Sequence, residues 1–353
     1  MKKIDYFFGV LFLGFCFFIV SNSSVQAATA DFGVKANYND HQTAENGIID
    51  VYGDAGSSQN ISFSILNKDD KRHKYNVYVH TAYTDSNGQL DYSKNIANDP
   101  TLNLKINRYV QPQKQTVYVD GGEIKTVSLR LNVPSNNFKG FLMGGIVVKL
   151  VKSAKESSSV TSNGTVLRNN YQQGLPIRLR HVKDEKKAPN FRVRYVFAFA
   201  DKTMKTRGVK ANLQNYVKGY NADINVKATV TRRPDDHKFK KIAKQTHISP
   251  APNSNYNYQI DWGKTPLQAG DYHLHMKLTT NDKTRSWIVD KNFSISNEDA
   301  AKYNKLSGIK PNYMWLWILI AILVLLLVLG LGVYFGRRNQ QKNQPPMNNY
   351  NQR

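Results

Sequence analysis

The sequence predicts an all-β chain of two tandem sandwiches, followed by a short helix and a single C-terminal transmembrane helix. Three observations carry this expectation. Apolar and polar residues alternate in short runs between Phe32 and Ile295, the period of a half-buried antiparallel strand. Turn-forming pairs separate the runs, as at Asn46-Gly47, Asn87-Gly88 and Gly121-Gly122. One long stretch, Tyr313 to Phe335, holds no charged residue.

The chain opens with Lys2 and Lys3, an apolar run from Tyr6 to Val20, and a polar stretch ending Val25-Gln26-Ala27. This is the layout of a signal peptide over residues 1–27, cleaved after Ala27. The one cysteine, Cys16, lies inside the apolar run, and the bulky Phe15 before it is wrong for lipoprotein processing. The mature protein is therefore expected to be extracellular and free of disulfides, so that a hydrophobic core must hold it together.

Residues 28–182 read as the first sandwich. Ile61, Phe63 and Ile65 alternate with serines, and Tyr75, Val77 and Val79 share one face of the next strand. Val127, Leu129, Leu131 and Val133 repeat the pattern. Residues 141–151 are apolar enough for a central strand, in which Gly144-Gly145 suggests a bulge or a close backbone approach. The polar stretch 153–165 is a linker or a hairpin tip. Residues 171–182 are again strand-like. Pairing them back onto 141–151 satisfies the backbone of both and puts the domain border at the charged run 183–189; a split at 152–165 is the alternative.

The second sandwich, residues 188–297, repeats this grammar and is of immunoglobulin-like type, as is the first. Phe191, Val193, Tyr195, Phe197 and Phe199 form one alternating face; Ile224, Val226, Ala228 and Val230 another; Tyr272, Leu274, Met276 and Leu278 a third. Residues 298–312 form a membrane-proximal stalk. Asn297 serves as N-cap of a helix running to about Leu306, and Ser307 to Pro311 breaks it. Residues 313–335 then span roughly 34 Å as a helix, against a hydrocarbon core of ~30 Å. Tyr313, Trp315, Trp317 and Tyr334 stand where interfacial anchors stand. Arg337 and Arg338 place the polar tail, residues 336–353, in the cytoplasm, where its Asn/Gln-rich composition predicts disorder.

Charge divides the outer portion. The whole chain carries a net +23, yet residues 28–160 hold 15 basic against 13 acidic side chains, and residues 161–312 hold 28 against 12. The membrane-proximal half is thus the cationic one. An exported chain without disulfides is common on the surface of Gram-positive bacteria, where this half is expected to meet teichoic polymers and anionic head groups; a solvated cationic surface is the alternative, and nucleic acid belongs to another compartment.

Catalytic signatures are missing from the sequence. It has no Gly-x-Ser-x-Gly elbow, HExxH or Walker loop, and no LPxTG-like sorting signal precedes the apolar stretch. His273 and His275 share one strand face, but zinc wants at least three protein ligands. No enzyme activity, cofactor or metal is expected. The candidate binding loop runs from Tyr83 to Tyr92: Asn87-Gly88 turns it, while Tyr83, Asp91 and Tyr92 offer a stacking face and an acceptor to a glycan or peptide stem.

Three stretches, TAYTDSNGQLDYS (81–93), DPTLNL (99–104) and FKGFLMGGIVV (138–148), together with the order of segments, make the chain resemble the WxL-interacting protein family of Gram-positive bacteria. The resemblance covers nearly the whole chain. It implies a first domain that associates with peptidoglycan, a second that binds host factors, and partnership with WxL-domain surface proteins. The resulting expectation is a cell-membrane, single-pass scaffold whose ectodomain lies outside, within or across the wall. A cationic adhesin for host matrix or anionic wall polymers is the alternative, and a cell-wall enzyme a distant third.

Overall fold

The computed structural model describes residues 32–151, 158–160, 166–168, 171–234, 236–309 and 313–342. The expected signal peptide with its cleavage after Ala27, Cys16, most of the Ser-rich stretch and residues 343–353 lie outside the described residues.

The first sandwich stacks two sheets. One has the order β1-β3-β9-β7, from β1 (Phe32–Asn37), β3 (Ser58–Asn67), β9 (Ile124–Asn132) and β7 (Val110–Gln111). The other has the order β2-β13-β10-β4-β8, from β2 (Ile49–Tyr52), β13 (Gln172–Arg180), β10 (Leu142–Val151), β4 (His73–Thr81) and β8 (Lys114–Val119). Two-residue strands β5 (Tyr83–Thr84) and β6 (Leu90–Asp91) form a separate hairpin, and β11 (Ser158–Val160) pairs with β12 (Val166–Arg168). The alternating residues meet inside: Ile61, Phe63, Ile65, Leu129 and Leu131 join Tyr75, Val77, Ile146, Val148 and Ile177 in one buried cluster. Full burial of each such side chain stabilises the fold by about 1.5–3 kcal/mol.

β13 pairs antiparallel with β10, so the first sandwich's sheet extends beyond the Ser-rich stretch. Gly144-Gly145 proves to be a place of close approach. A Cβ on Gly144 would sit 2.2 Å from the His80 carbonyl oxygen, and one on Gly145 would sit 2.1 Å from the Tyr92 ring. β2 runs parallel to β13 and sets Asp50 opposite Arg178. The buried Asp50 carboxylate accepts hydrogen bonds from Arg180 at 2.6 and 2.5 Å, and Arg180 also donates to the carbonyls of Lys183 and Glu185. This pair, shielded from water, fixes the chain where it leaves the first sandwich.

The second sandwich stacks β14 (Phe191–Asp201), β15 (Thr206–Asn215) and β18 (Ser254–Asp261) against β17 (Asp236–Ile248), β16 (Ile224–Arg233), β19 (Gly270–Thr280) and β20 (Ser286–Ile295), in the order β14-β15-β18 and β17-β16-β19-β20. Phe239, Trp262, Tyr272 and Phe293 form a chain of ring contacts with centroids 4.9–5.5 Å apart, a favoured aromatic geometry. Here the single alternating face expected of β14 breaks. A register shift between Val193 and Val196 turns Phe191 and Val193 inward on one side of it and Val196 and Ala198 on the other. Tyr195 and Phe197 are left exposed by this shift, whereas Phe199, also of the expected face, is buried.

α1 (Asn297–Leu306) starts one residue earlier than expected, because Ser296 and not Asn297 is the N-cap: its backbone is extended and its hydroxyl accepts from the Asp299 N–H at 3.0 Å. The helix is docked. Ala300 and Tyr303 join the second core, and Asn304 holds both the N–H and the carbonyl of Leu267 at 2.9 Å. α2 (Met314–Lys342) carries the apolar stretch Met314–Phe335, long enough to cross a membrane and nowhere buried against the rest of the described chain. It runs seven residues past Phe335, so the first part of the expected disordered tail is helical. Arg, Gln and Lys are good helix formers, and the first proline lies further on, at Pro345.

Candidate binding surfaces

The β5–β6 hairpin brings Tyr83, Asp91 and Tyr92 together. Asp85 shapes the turn: its carboxylate accepts from the N–H groups of Asn87 and Gln89, both at 2.8 Å, and Gly88 takes φ +75°. Tyr83 donates its hydroxyl to Asp91 Oδ2 at 2.5 Å, and Asp91 also accepts from the Ser93 N–H and hydroxyl. Burial raises the Tyr83 pKa, and the bond to Asp91 adds to the rise. Burial pushes the Asp91 carboxyl up, but the bonds from Tyr83 and Ser93 outweigh it and hold the pKa below its ordinary value. The Tyr92 ring rests on the glycine faces of Gly145 and Gly174, and its pKa is raised by burial first and then by Asp91. The polar atoms of Tyr83 and Asp91 are thus engaged with each other and with Ser93.

The hairpin tip points at the second sandwich. Gly88 accepts from the Ser249 N–H at 2.9 Å, Gln89 donates to the His247 carbonyl at 2.7 Å, and Gln245 donates to the Asn87 carbonyl at 2.6 Å. Thr84 exchanges two bonds: its N–H donates to Ser254 Oγ, and its hydroxyl accepts from the Ala251 N–H. Gly88 lies so close that a Cβ would stand 3.0 Å from Ile248 and from the Tyr256 ring. The turn therefore sits against both β17 and β18, one edge from each sheet of the second sandwich. Beside it, Ala82, Phe141 and Met143 of the first domain bury against Ala251 of the second.

Asp99 is the charged centre of this junction. It is buried, and its carboxylate accepts from Gln214 at 2.7 Å, Asn255 at 2.5 Å and the N–H and hydroxyl of Thr101. Burial pushes its pKa up, but those bonds outweigh burial and leave it below the ordinary aspartate value. The DPTLNL motif thus has a structural use, since its Asp99 and Thr101 bind the second sandwich. An open cleft of about 470 Å³ borders the junction, lined by Thr84, Asp85, Ser86, Asn87, Lys210, Tyr256, Asn257 and Gln259. No local pattern announces any of this. The residues that hydrogen-bond to Asp99 and Thr84 across the junction lie 115 to 170 positions away and meet them only in the folded chain.

His273 and His275 have a carboxylate neighbour that the sequence hid. Asp290 of β20 stands 3.2 Å from His273 Nε2 and 2.8 Å from His275 Nδ1. Among the described residues, no group of three or more His, Cys, Asp or Glu is placed to hold a metal ion.

Two models of one family cover these two sandwiches. Residues 32–150 match "WxL Interacting Protein, peptidoglycan binding domain", and residues 162–305 match "WxL Interacting Protein, host binding domain". The chain belongs to the WxL-interacting proteins. It is accordingly a cell-surface binding protein with a peptidoglycan-binding and a host-binding domain. The host-binding match begins ten residues ahead of β13, which completes the first sandwich's sheet, so the family border and the sheet border differ. No curated protein matches this WxL-interacting chain. Among solved structures, a chaperone–tip adhesin complex of CFA/I fimbriae biogenesis is 11% identical, covers 74% of this chain and 98% of its own, and has a TM-score of 0.32. The CupB2 chaperone of Pseudomonas aeruginosa is 10% identical over 70% of this chain and 98% of its own, with a TM-score of 0.27. A PapD-like domain of human CEP192 is 9% identical over 44% and 87%, with a TM-score of 0.25.

Proposed function

We propose that this WxL-interacting protein is a single-pass membrane scaffold that holds peptidoglycan with its first sandwich and presents its second to host factors and WxL-domain proteins. The observation that carries the reading is the pairing of the two family matches, each on its own sandwich, with the unburied apolar helix that follows them. On this reading residues 1–27 are removed, the outer portion begins after Ala27, and Arg337 and Arg338 hold the C-terminus in the cytoplasm. The border between the units is proposed at residues 183–189, just after the Asp50–Arg180 pair. Tyr83, Asp91 and Tyr92 act in binding by supporting the hairpin whose tip, Asp85 to Asn87, lines the junction cleft.

The direct test is sedimentation of the full chain, in nonionic detergent, with isolated peptidoglycan at moderate salt. Retention is expected. A chain left wholly in the supernatant refutes the proposal. For the partner, a WxL-domain protein immobilised on beads is expected to retain the same preparation.

A further inference from the structure

Register gives the second sandwich an arrangement of charge that composition alone does not show. On the outer face of β17-β16-β19-β20, Lys227 stands directly opposite Lys244 on one side and Lys277 on the other. All three are exposed. Neighbouring strands lie ~4.8 Å apart, so three ammonium-bearing stems leave one straight row about 10 Å long. Lys240, also exposed, lies further along β17 opposite Thr231. None of these four lysines has a hydrogen bond or ion pair to another described residue.

The acids of the same face are already engaged. Asp290, in register with His275 and one row from Lys277, binds His275 and His273. Asp271 lies opposite Arg233 and accepts from the Ser294 hydroxyl at 2.5 Å. Like charges directly opposite one another on a sheet are destabilising, so the row costs the fold something and returns nothing within it. An arrangement that is unfavourable in the free protein and lies on an open sheet face suits an extended anionic chain.

The place of the sandwich narrows the choice of anion. α1 is docked on the sandwich through Asn304, and seven residues, 307–313, separate it from α2. Fully extended they reach at most about 24 Å. With α2 as the span and the first domain matched to a peptidoglycan-binding model, the lysine face is held near the outer leaflet, among the polymers of the cell envelope.

We propose that the Lys244–Lys227–Lys277 row binds a linear phosphodiester polymer of the cell envelope. The choice of polymer rests on the membrane-anchored reading above, and the row would add a polymer contact to the peptidoglycan contact of the first domain. The probe is lipid-free glycerol-phosphate polymer, immobilised and presented with the full chain in nonionic detergent. Binding is expected, weakening steadily as salt rises. The variant K227Q/K244Q/K277Q is expected to bind roughly tenfold or more weakly, with a Tm equal to or above that of the parent, because the opposed charges are gone. Replacing Lys35, Lys68 and Lys71 of the first domain by Gln is expected to leave binding intact.

Equal binding by the row variant and the parent overturns the inference. So does a parent that binds a sulfated polysaccharide or anionic lipid vesicles but not the phosphate polymer. Carbonate washing of membranes bearing the chain separates the two readings. A chain that is released defeats the anchored reading and the choice of polymer with it. A chain that stays but ignores the polymer defeats this inference alone.

Discussion

At the scale of single residues, the junction depends on an aspartate kept ionised where water is scarce. Asp99 is matched by donors from both domains, and removing an acceptor from buried donors costs about 1–3 kcal/mol. Asp99→Ala is therefore expected to lower unfolding stability by that amount in a urea titration at neutral pH. The pH dependence follows from the direction of the shift. A folded pKa below the unfolded value of ~3.9 means that the stabilisation is fully present above about pH 4 and is lost as pH falls through the depressed folded pKa. In Asp99→Asn this acid-side loss should be smaller, as read by Tm between neutral pH and pH 3. Gly88 offers a second test. A residue other than glycine at φ +75° costs roughly 1–2 kcal/mol in conformation alone. Gly122 has nearly the same φ, +71°, with nothing within 4 Å of a Cβ, whereas at Gly88 the Cβ meets Ile248 and Tyr256. Gly88→Ala should therefore destabilise more than Gly122→Ala, and the difference measures the packing of the turn.

At the scale of elements, sheet and helix follow different rules of legibility. Alternation identified the inward faces of β3, β4, β9, β16 and β19 because each keeps its period over the run that was read, as from Ile61 to Ile65, Tyr75 to Val79, Val127 to Leu131, Ile224 to Val230 and Tyr272 to Leu278. It misplaced Tyr195 and Phe197 of β14 because the register shifts between Val193 and Val196, which alternation of side-chain type does not show. Long β17 went unread because its polarity does not alternate: Ile242 is exposed among Lys238, Lys240 and Lys244, while the partly buried positions include Lys241 and Gln245. α2 was the plainest element, since no folded core could hide its 22 apolar residues, Met314–Phe335. Leu325 is central in it. If α2 spans a bilayer, each arginine near its centre costs about 2.5–3.5 kcal/mol of insertion, so Leu325→Arg combined with Val328→Arg is expected to move much of the chain from the carbonate-resistant membrane fraction to the supernatant, while Leu325→Ile should not.

At the scale of the whole molecule, the junction makes one body of two sandwiches. Five hydrogen bonds from Thr84, Asn87, Gly88 and Gln89, the Asp99 cluster and the apolar contact of Ala82, Phe141 and Met143 with Ala251 cross the border. Unfolding of the wild-type chain is expected to be a single cooperative transition by calorimetry. Thr84→Ala, Gln89→Ala and Asp99→Ala combined should split it into two, as each sandwich keeps its own core. A functional consequence follows: if peptidoglycan binds the first sandwich, it orients the second as well, because the two cannot swivel freely.

By itself the sequence determined the all-β class, the two sandwiches, the apolar helix and the family, because periodicity, turn chemistry and motif order are properties of neighbours in the chain. The candidate hairpin was legible as a turn for the same reason: Asp85, Asn87 and Gly88 act on backbone within a few residues. Only the tertiary structure decided what that turn leans on, where Asp99 finds its donors, and which lysines stand abreast. Those are matters of register and long-range contact, and residues as far apart as Thr84 and Ser254, or Lys227 and Lys277, become neighbours only when the sheets close.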